Sequence, residues 1–116
     1  MNATGTTAFM YIFVGASLLL CAVSVPLIIR RIKPNPWYGF RTPKTMNDEH
    51  IWYEANAYSG RLMCFLGVIL AIVTAALRFV PGLGDSVATY SSVCGGLFTI
   101  GLVVVTAMSF RFISDL

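Results

Sequence analysis

Three long apolar runs leave this chain few folds to choose from. Ala8–Ile29 and Val87–Phe110 contain no charged side chain, and neither does Leu62–Leu77, which reaches Val80 if Arg78 extends its head toward water. A helix needs about 20 residues to cross a hydrocarbon core of about 30 Å. Each run is long enough, the second when it begins near Gly60. Only 11% of the residues are charged, against roughly 25% in soluble domains. The expected fold is therefore all-α and integral to the membrane. It has three transmembrane helices at about 8–31, 60–80 and 87–110, within one membrane domain over 1–116. An ordered cytoplasmic loop and short helix over 32–59 separate the first two, and a tight Pro81–Ser86 turn separates the last two. No basic residue precedes the first run, which is longer than the apolar core of a cleaved signal, so it is expected to be a retained helix.

The basic residues set an orientation. Arg30, Arg31, Lys33, Arg41, Lys44 and Arg61 lie in or beside the first connection, and Arg111 follows the third run; only Arg78 lies at the other side. By the positive-inside rule the long connection and the C-terminus are cytoplasmic and the N-terminus is outside, in a multi-pass membrane protein. The same cluster attracts anionic lipid. Asp48, Glu49 and Glu54 interrupt it, so nucleic acid is not an expected partner.

Little else suggests catalysis. Cys21, Cys64 and Cys94 fall one to each apolar run without metal-ligand spacing, and His50 is the only histidine; buried cysteines act as small apolar residues. No cofactor, metal site or enzymatic activity is expected, although Asp48, Glu49, His50 and Glu54 could in principle supply an acid or base. No apolar run has an ionisable residue at its middle, which argues against a proton pathway within one copy.

The chemistry is concentrated in the first connection. Pro34, Pro36 and Pro43 keep it out of regular helix, the first helix should end near Ile32 ahead of Pro34, and Gly39 supplies a conformation that other residues resist. Pro26 should kink the first helix. Thr45 is expected to cap a helix running from about Met46 to Ser59, with Asp48 reaching back. Asp48, Trp52, Asn56 and Gly60 step by four and share a face. Arg41, held between Gly39 and Pro43, could grip an anion bidentately or pair with Asp48 or Glu54. Asn35 and Asn56 could bond the loop backbone or a ligand, and Trp37, Tyr38, Trp52 and Tyr53 resemble an interfacial aromatic belt. Small residues at Gly60, Cys64, Gly67, Ala71 and Ala75, and at Ser91, Ser92, Gly95, Gly96 and Thr99, predict close packing of the second and third membrane helices as a hairpin.

The pattern Pro34-Asn35-x-Trp37-Tyr38-Gly39-Phe40-Arg41-Thr42-Pro43-x-Thr45, followed by Trp52, Asn56 and Gly60, resembles the signature of the SdpI family of bacterial membrane proteins. The resemblance implies a non-enzymatic inner-membrane protein related to immunity against a secreted killing peptide, with a role in signalling. It implies a site for a peptide toxin, lipid or regulatory protein at Asn35, Trp37, Gly39, Arg41, Thr42, Pro43, Thr45, Trp52, Asn56 and Gly60. Membrane lipid and a second copy of the chain are further expected partners. The alternative reading is a subunit of a small oligomeric transporter for lipid or small molecules.

Overall fold

The computed structural model describes residues 2–35, 37 and 39–116, with side chains from residue 5 onward. Every regular element among them is a helix: α1 (Asn2–Ile28), α2 (Pro43–Asn47), α3 (Glu49–Leu77) and α4 (Val87–Ser114). The chain is an all-α membrane protein in which α1, α3 and α4 are each long and apolar enough to span a bilayer. At 1.5 Å per residue the 29 residues of α3 extend about 43 Å, more than a hydrocarbon core of about 30 Å. The excess length lets its first turns serve as part of a cap. That cap consists of α2, the 29–42 connection and the start of α3.

The small-residue stripe of α3 faces α1, not α4 as the hairpin expectation had it. A Cβ on Gly60 would lie 3.0 Å from the Ile28 side chain and 3.1 Å from the Ser24 carbonyl, and one on Gly67 would lie 2.5 Å from the Ser17 carbonyl. Cys21 and Cys64 meet across the same contact, their Cα atoms 3.8 Å apart. Two stripes spaced four then three residues, Ser17-Cys21-Ser24 and Gly60-Cys64-Gly67, thus run antiparallel against one another. The serines can line this contact because each donates its hydroxyl hydrogen within its own helix, Ser17 to the Phe13 carbonyl and Ser24 to the Leu20 carbonyl, both at 2.7 Å. On α4, by contrast, a Cβ at Gly95 or Gly96 would meet nothing within 4 Å among the described residues.

α4 is held at both ends instead. Near the cap, Ser59 donates to Ser109 at 2.5 Å and the Tyr58 and Phe112 rings stack at 4.1 Å. Toward the other end, buried Tyr90 donates to the Thr74 carbonyl at 2.6 Å, and Phe13 of α1 touches Tyr90 and Phe98. The α3–α4 turn has Gly82 at φ +83°, with its N–H donating to Asp85, and Ser86 caps α4.

Helix limits differ from expectation in three places. α1 starts at Asn2, because the polar segment before residue 8 has tertiary contacts: Thr7 accepts two bonds from the Arg78 guanidinium, and Gly5 lies against Val87. It ends at Ile28, earlier than Ile32. Arg30 takes a left-handed φ of 60°, its N–H donating to the Leu27 carbonyl and that of Arg31 to the Pro26 carbonyl, the pattern of a Schellman cap. Pro26 therefore lies in the last turn, where little helix follows it. Third, Thr42 rather than Thr45 caps α2. Thr42 and Thr45 form a reciprocal capping box, and Asp48 caps the separate α3 through bonds from the His50 and Ile51 amides. α3 then continues without a break through Gly60.

Candidate functional site

The 29–42 connection closes over the end of the bundle, held by two side chains of α3. Asn56 is buried. Its Oδ1 accepts from the Phe40 amide, and its Nδ2 donates to the Phe40 carbonyl at 3.3 Å and to the Trp52 carbonyl at 3.0 Å. An asparagine amide can both accept and donate, so it replaces the strand partner that an isolated loop residue lacks. Trp52, fully buried, donates its indole N–H to the Ile32 carbonyl at 2.8 Å. The expectation of a Trp52 place in an interfacial belt is therefore corrected: the helical face shared with Asn56 and Gly60 turns it inward. Gly39 closes the arrangement with φ +110°. A Cβ there would come within 2.8 Å of the Asn56 Oδ1 and 3.0 Å of the Trp52 ring.

Thr45, also buried, ties the next turn. Its hydroxyl accepts from the Thr42 amide at 2.8 Å and donates toward the Phe40 and Thr42 carbonyls. Pro43 occupies the first turn of α2, where its missing N–H costs nothing. Asn35 bridges its own loop, accepting from the Trp37 amide at 2.9 Å and donating to the Lys33 carbonyl at 2.7 Å. Gly39, Thr42, Thr45, Trp52, Asn56 and Gly60 thus form the inner frame of the cap. Trp37, Arg41 and Pro43 lie on its outside, Trp37 with 86% of its surface exposed. Tyr38 and Pro36 are outside the described residues.

The acidic partners expected for Arg41 are engaged elsewhere. Glu54 pairs with Arg30 at 2.6 Å, and Asp48 accepts the amides that open α3. Sequence reasoning missed the Arg30–Glu54 pair because Arg30 reaches it only through its left-handed backbone. It also missed how the cap grips α4: Lys44 Nζ donates to the Ile113 carbonyl at 2.8 Å, and the Phe40 and Phe110 rings meet edge-on at 5.0 Å. Nothing in a linear pattern marks these pairs.

Beneath the Gly39–Phe40 turn lies a cleft of about 220 Å³. α1 contributes Val23, Ser24 and Leu27 to it, α3 contributes Asn56, Ser59, Gly60 and Met63, and α4 contributes Val105, Thr106 and Ser109. Every member of the inner frame that faces this space comes from the sequence pattern singled out above, whereas the α1 and α4 walls had no signal of their own.

Fold and cap together define a three-span helical membrane protein with its loop chemistry folded over one end of the bundle. The chain belongs to the SdpI/YfhL protein family, whose model matches residues 31–113 and so includes the cap, α3 and nearly all of α4. It is similar to the uncharacterized protein YfhL of Bacillus subtilis (strain 168), with 38% identity over 61 residues, 50% of this chain and 53% of the relative. The match thus spans about half the length of that curated relative. No solved structure matches.

Proposed function

We propose that this chain is a non-enzymatic protein of the bacterial inner membrane that uses the outer face of its cap to engage a peptide toxin or a regulatory protein, in immunity or signalling. The observation that carries this reading is the division of the family pattern. Four of its residues, Thr45, Trp52, Asn56 and Gly60, are buried in building the cap, while Trp37 and Arg41 are exposed, and exposed aromatic and guanidinium groups suit partner recognition. The non-enzymatic part rests on the acidic groups, since Asp48 and Glu54 both serve structure. The test is survival of sensitive cells challenged with the secreted killing peptide against which family immunity proteins act. Arg41→Gln and Trp37→Ala are expected to abolish protection while shifting folding stability by no more than about 0.5 kcal/mol, the usual range for surface changes. Protection at the wild-type level in both variants would remove the outer face of the cap from the function.

The reading places the cap in the cytoplasm, supported by the basic residues gathered at that end. An impermeant thiol reagent added to intact cells is expected to label Pro81→Cys, in the exposed α3–α4 turn, and to leave Lys33→Cys unlabelled. The opposite pattern would reverse the orientation. The transporter alternative is favoured by one observation, the cleft under the cap.

A further inference from the structure

We propose that the cleft beneath the cap is a lateral lipid site, which takes one acyl chain of an anionic phospholipid from the leaflet on the cap side. The site is distinct from the outer face of the cap and does not depend on a toxin or regulatory partner.

The cleft opens to where lipid would be. Its rim residues Val23 on α1 and Thr106 on α4 are both exposed. The ring contacts between α1 and α4, Phe13 with Tyr90 and with Phe98, lie in the half of the bundle away from the cap. In the cap half the space between the two helices is the cleft, with α3 as its floor and Phe40 as its roof.

Its lining selects an apolar guest. Val23, Leu27, Met63 and Val105 form the walls, and each polar side chain present is already bonded within the protein. Ser24 donates to the Leu20 carbonyl, Thr106 to the Leu102 carbonyl, Ser59 to Ser109, and Asn56 is committed to Phe40 and Trp52. A polar ligand would lose its hydration there and find few partners. The volume of about 220 Å³ exceeds the roughly 150 Å³ of an apolar cavity that binds benzene, so a stretch of hydrocarbon chain fits. A peptide helix, about 10 Å across, does not.

Charge specifies the headgroup. Arg30, Arg31 and Lys33 follow directly on the turn of α1 that carries Leu27, and Arg61 stands between Gly60 and Met63 of the cleft lining. At the cap end basic residues outnumber acidic ones seven to four. A phosphate at this level meets a positive field, and each Lys or Arg near the surface strengthens attachment of anionic lipid about fivefold.

The experiment is native mass spectrometry of the full chain, released from nanodiscs of equal phosphatidylglycerol and phosphatidylcholine. Wild-type protein is expected to retain one phosphatidylglycerol. Thr106→Trp and Val23→Trp plug the rim and should reduce retention at least about tenfold, whereas Val103→Trp, on the exposed surface of α4 outside the cleft, should retain the lipid. Arg31→Gln with Lys33→Gln should lower the preference for phosphatidylglycerol by an order of magnitude or more, about fivefold per charge, without closing the cleft. Thermal midpoints identify any rim variant that fails to fold. In Trp37→Phe protein, which leaves the rim untouched and has buried Trp52 as its one tryptophan, phosphatidylglycerol brominated on its chain should quench the fluorescence more than the brominated phosphatidylcholine does. Equal retention in wild type and folded rim variants, or equal quenching by the two lipids, would overturn the proposal. Loss of toxin protection in Thr106→Trp with lipid retention unchanged would assign the cleft to the peptide instead.

Discussion

Gly39→Ala is expected to lower the thermal midpoint of the purified protein in detergent by roughly 10 °C or more, on the scale that links free energy to midpoint in domains of about this size. Two costs combine. At φ +110° an L side chain is strained, by about 1–3 kcal/mol. The new methyl would also stand 2.8 Å from Asn56 Oδ1 and 3.0 Å from the Trp52 ring, so at least one of the bonds that hold the loop must lengthen, at about 1 kcal/mol each. Asn56→Asp makes the same point without changing shape. The carboxylate cannot donate to the Phe40 and Trp52 carbonyls, and its charge would be buried. Gly39→Ala should expose the Phe40 amide to rapid hydrogen exchange, whereas Asn56→Asp keeps an acceptor for that amide and shows its loss in the midpoint. An unchanged midpoint together with an unchanged Phe40 exchange rate would mean that the cap is not held by this arrangement.

Gly67→Ala should be nearly as damaging, and it separates two readings of the same residue type. A Cβ at Gly67 would meet backbone, 2.5 Å from the Ser17 carbonyl and 3.1 Å from the Cys21 nitrogen. Backbone inside a helix cannot yield locally, so α1 must move off α3, at about 1–3 kcal/mol for alanine and more for leucine. Gly95→Ala and Gly96→Ala have open space instead, and alanine is the better helix former by about 1 kcal/mol. These two should hold or raise the midpoint. Gly101→Ala is intermediate, since it meets only the mobile end of Leu66. A midpoint that falls for Gly96→Ala and stays level for Gly67→Ala would place the close helix contact on the wrong side of α3.

The sequence alone carried the membrane class and the three spans, because length and apolarity are linear properties that a bilayer reads directly. It also marked the loop. Prolines, Gly39 and the four-residue spacing of Trp52, Asn56 and Gly60 are local signals, and the structure places the last three on one inward face as helical geometry requires. Direction was harder to read. Trp52 is an aromatic near a helix end, and composition cannot tell an interfacial ring from one that closes a cap. That depends on whether a carbonyl, here that of Ile32, is within reach.

Pairing was decided only in three dimensions. A stripe of small residues states that a helix can be approached closely, not by which neighbour, since in lipid no solvent force ranks one apolar face above another. The α3 stripe went to α1 because Ser17, Cys21 and Ser24 present a matching antiparallel row, and Gly95 and Gly96 of α4 found no partner among the described residues. The ion pair followed the same rule: Glu54 took Arg30 rather than Arg41 because the Schellman turn ended α1 early and aimed Arg30 across to α3. The periodicity of the chain thus determined which faces could be buried. The choice of partner for each face came from backbone geometry at helix ends and from the fit of one surface row to another, neither of which is written in any single stretch of sequence.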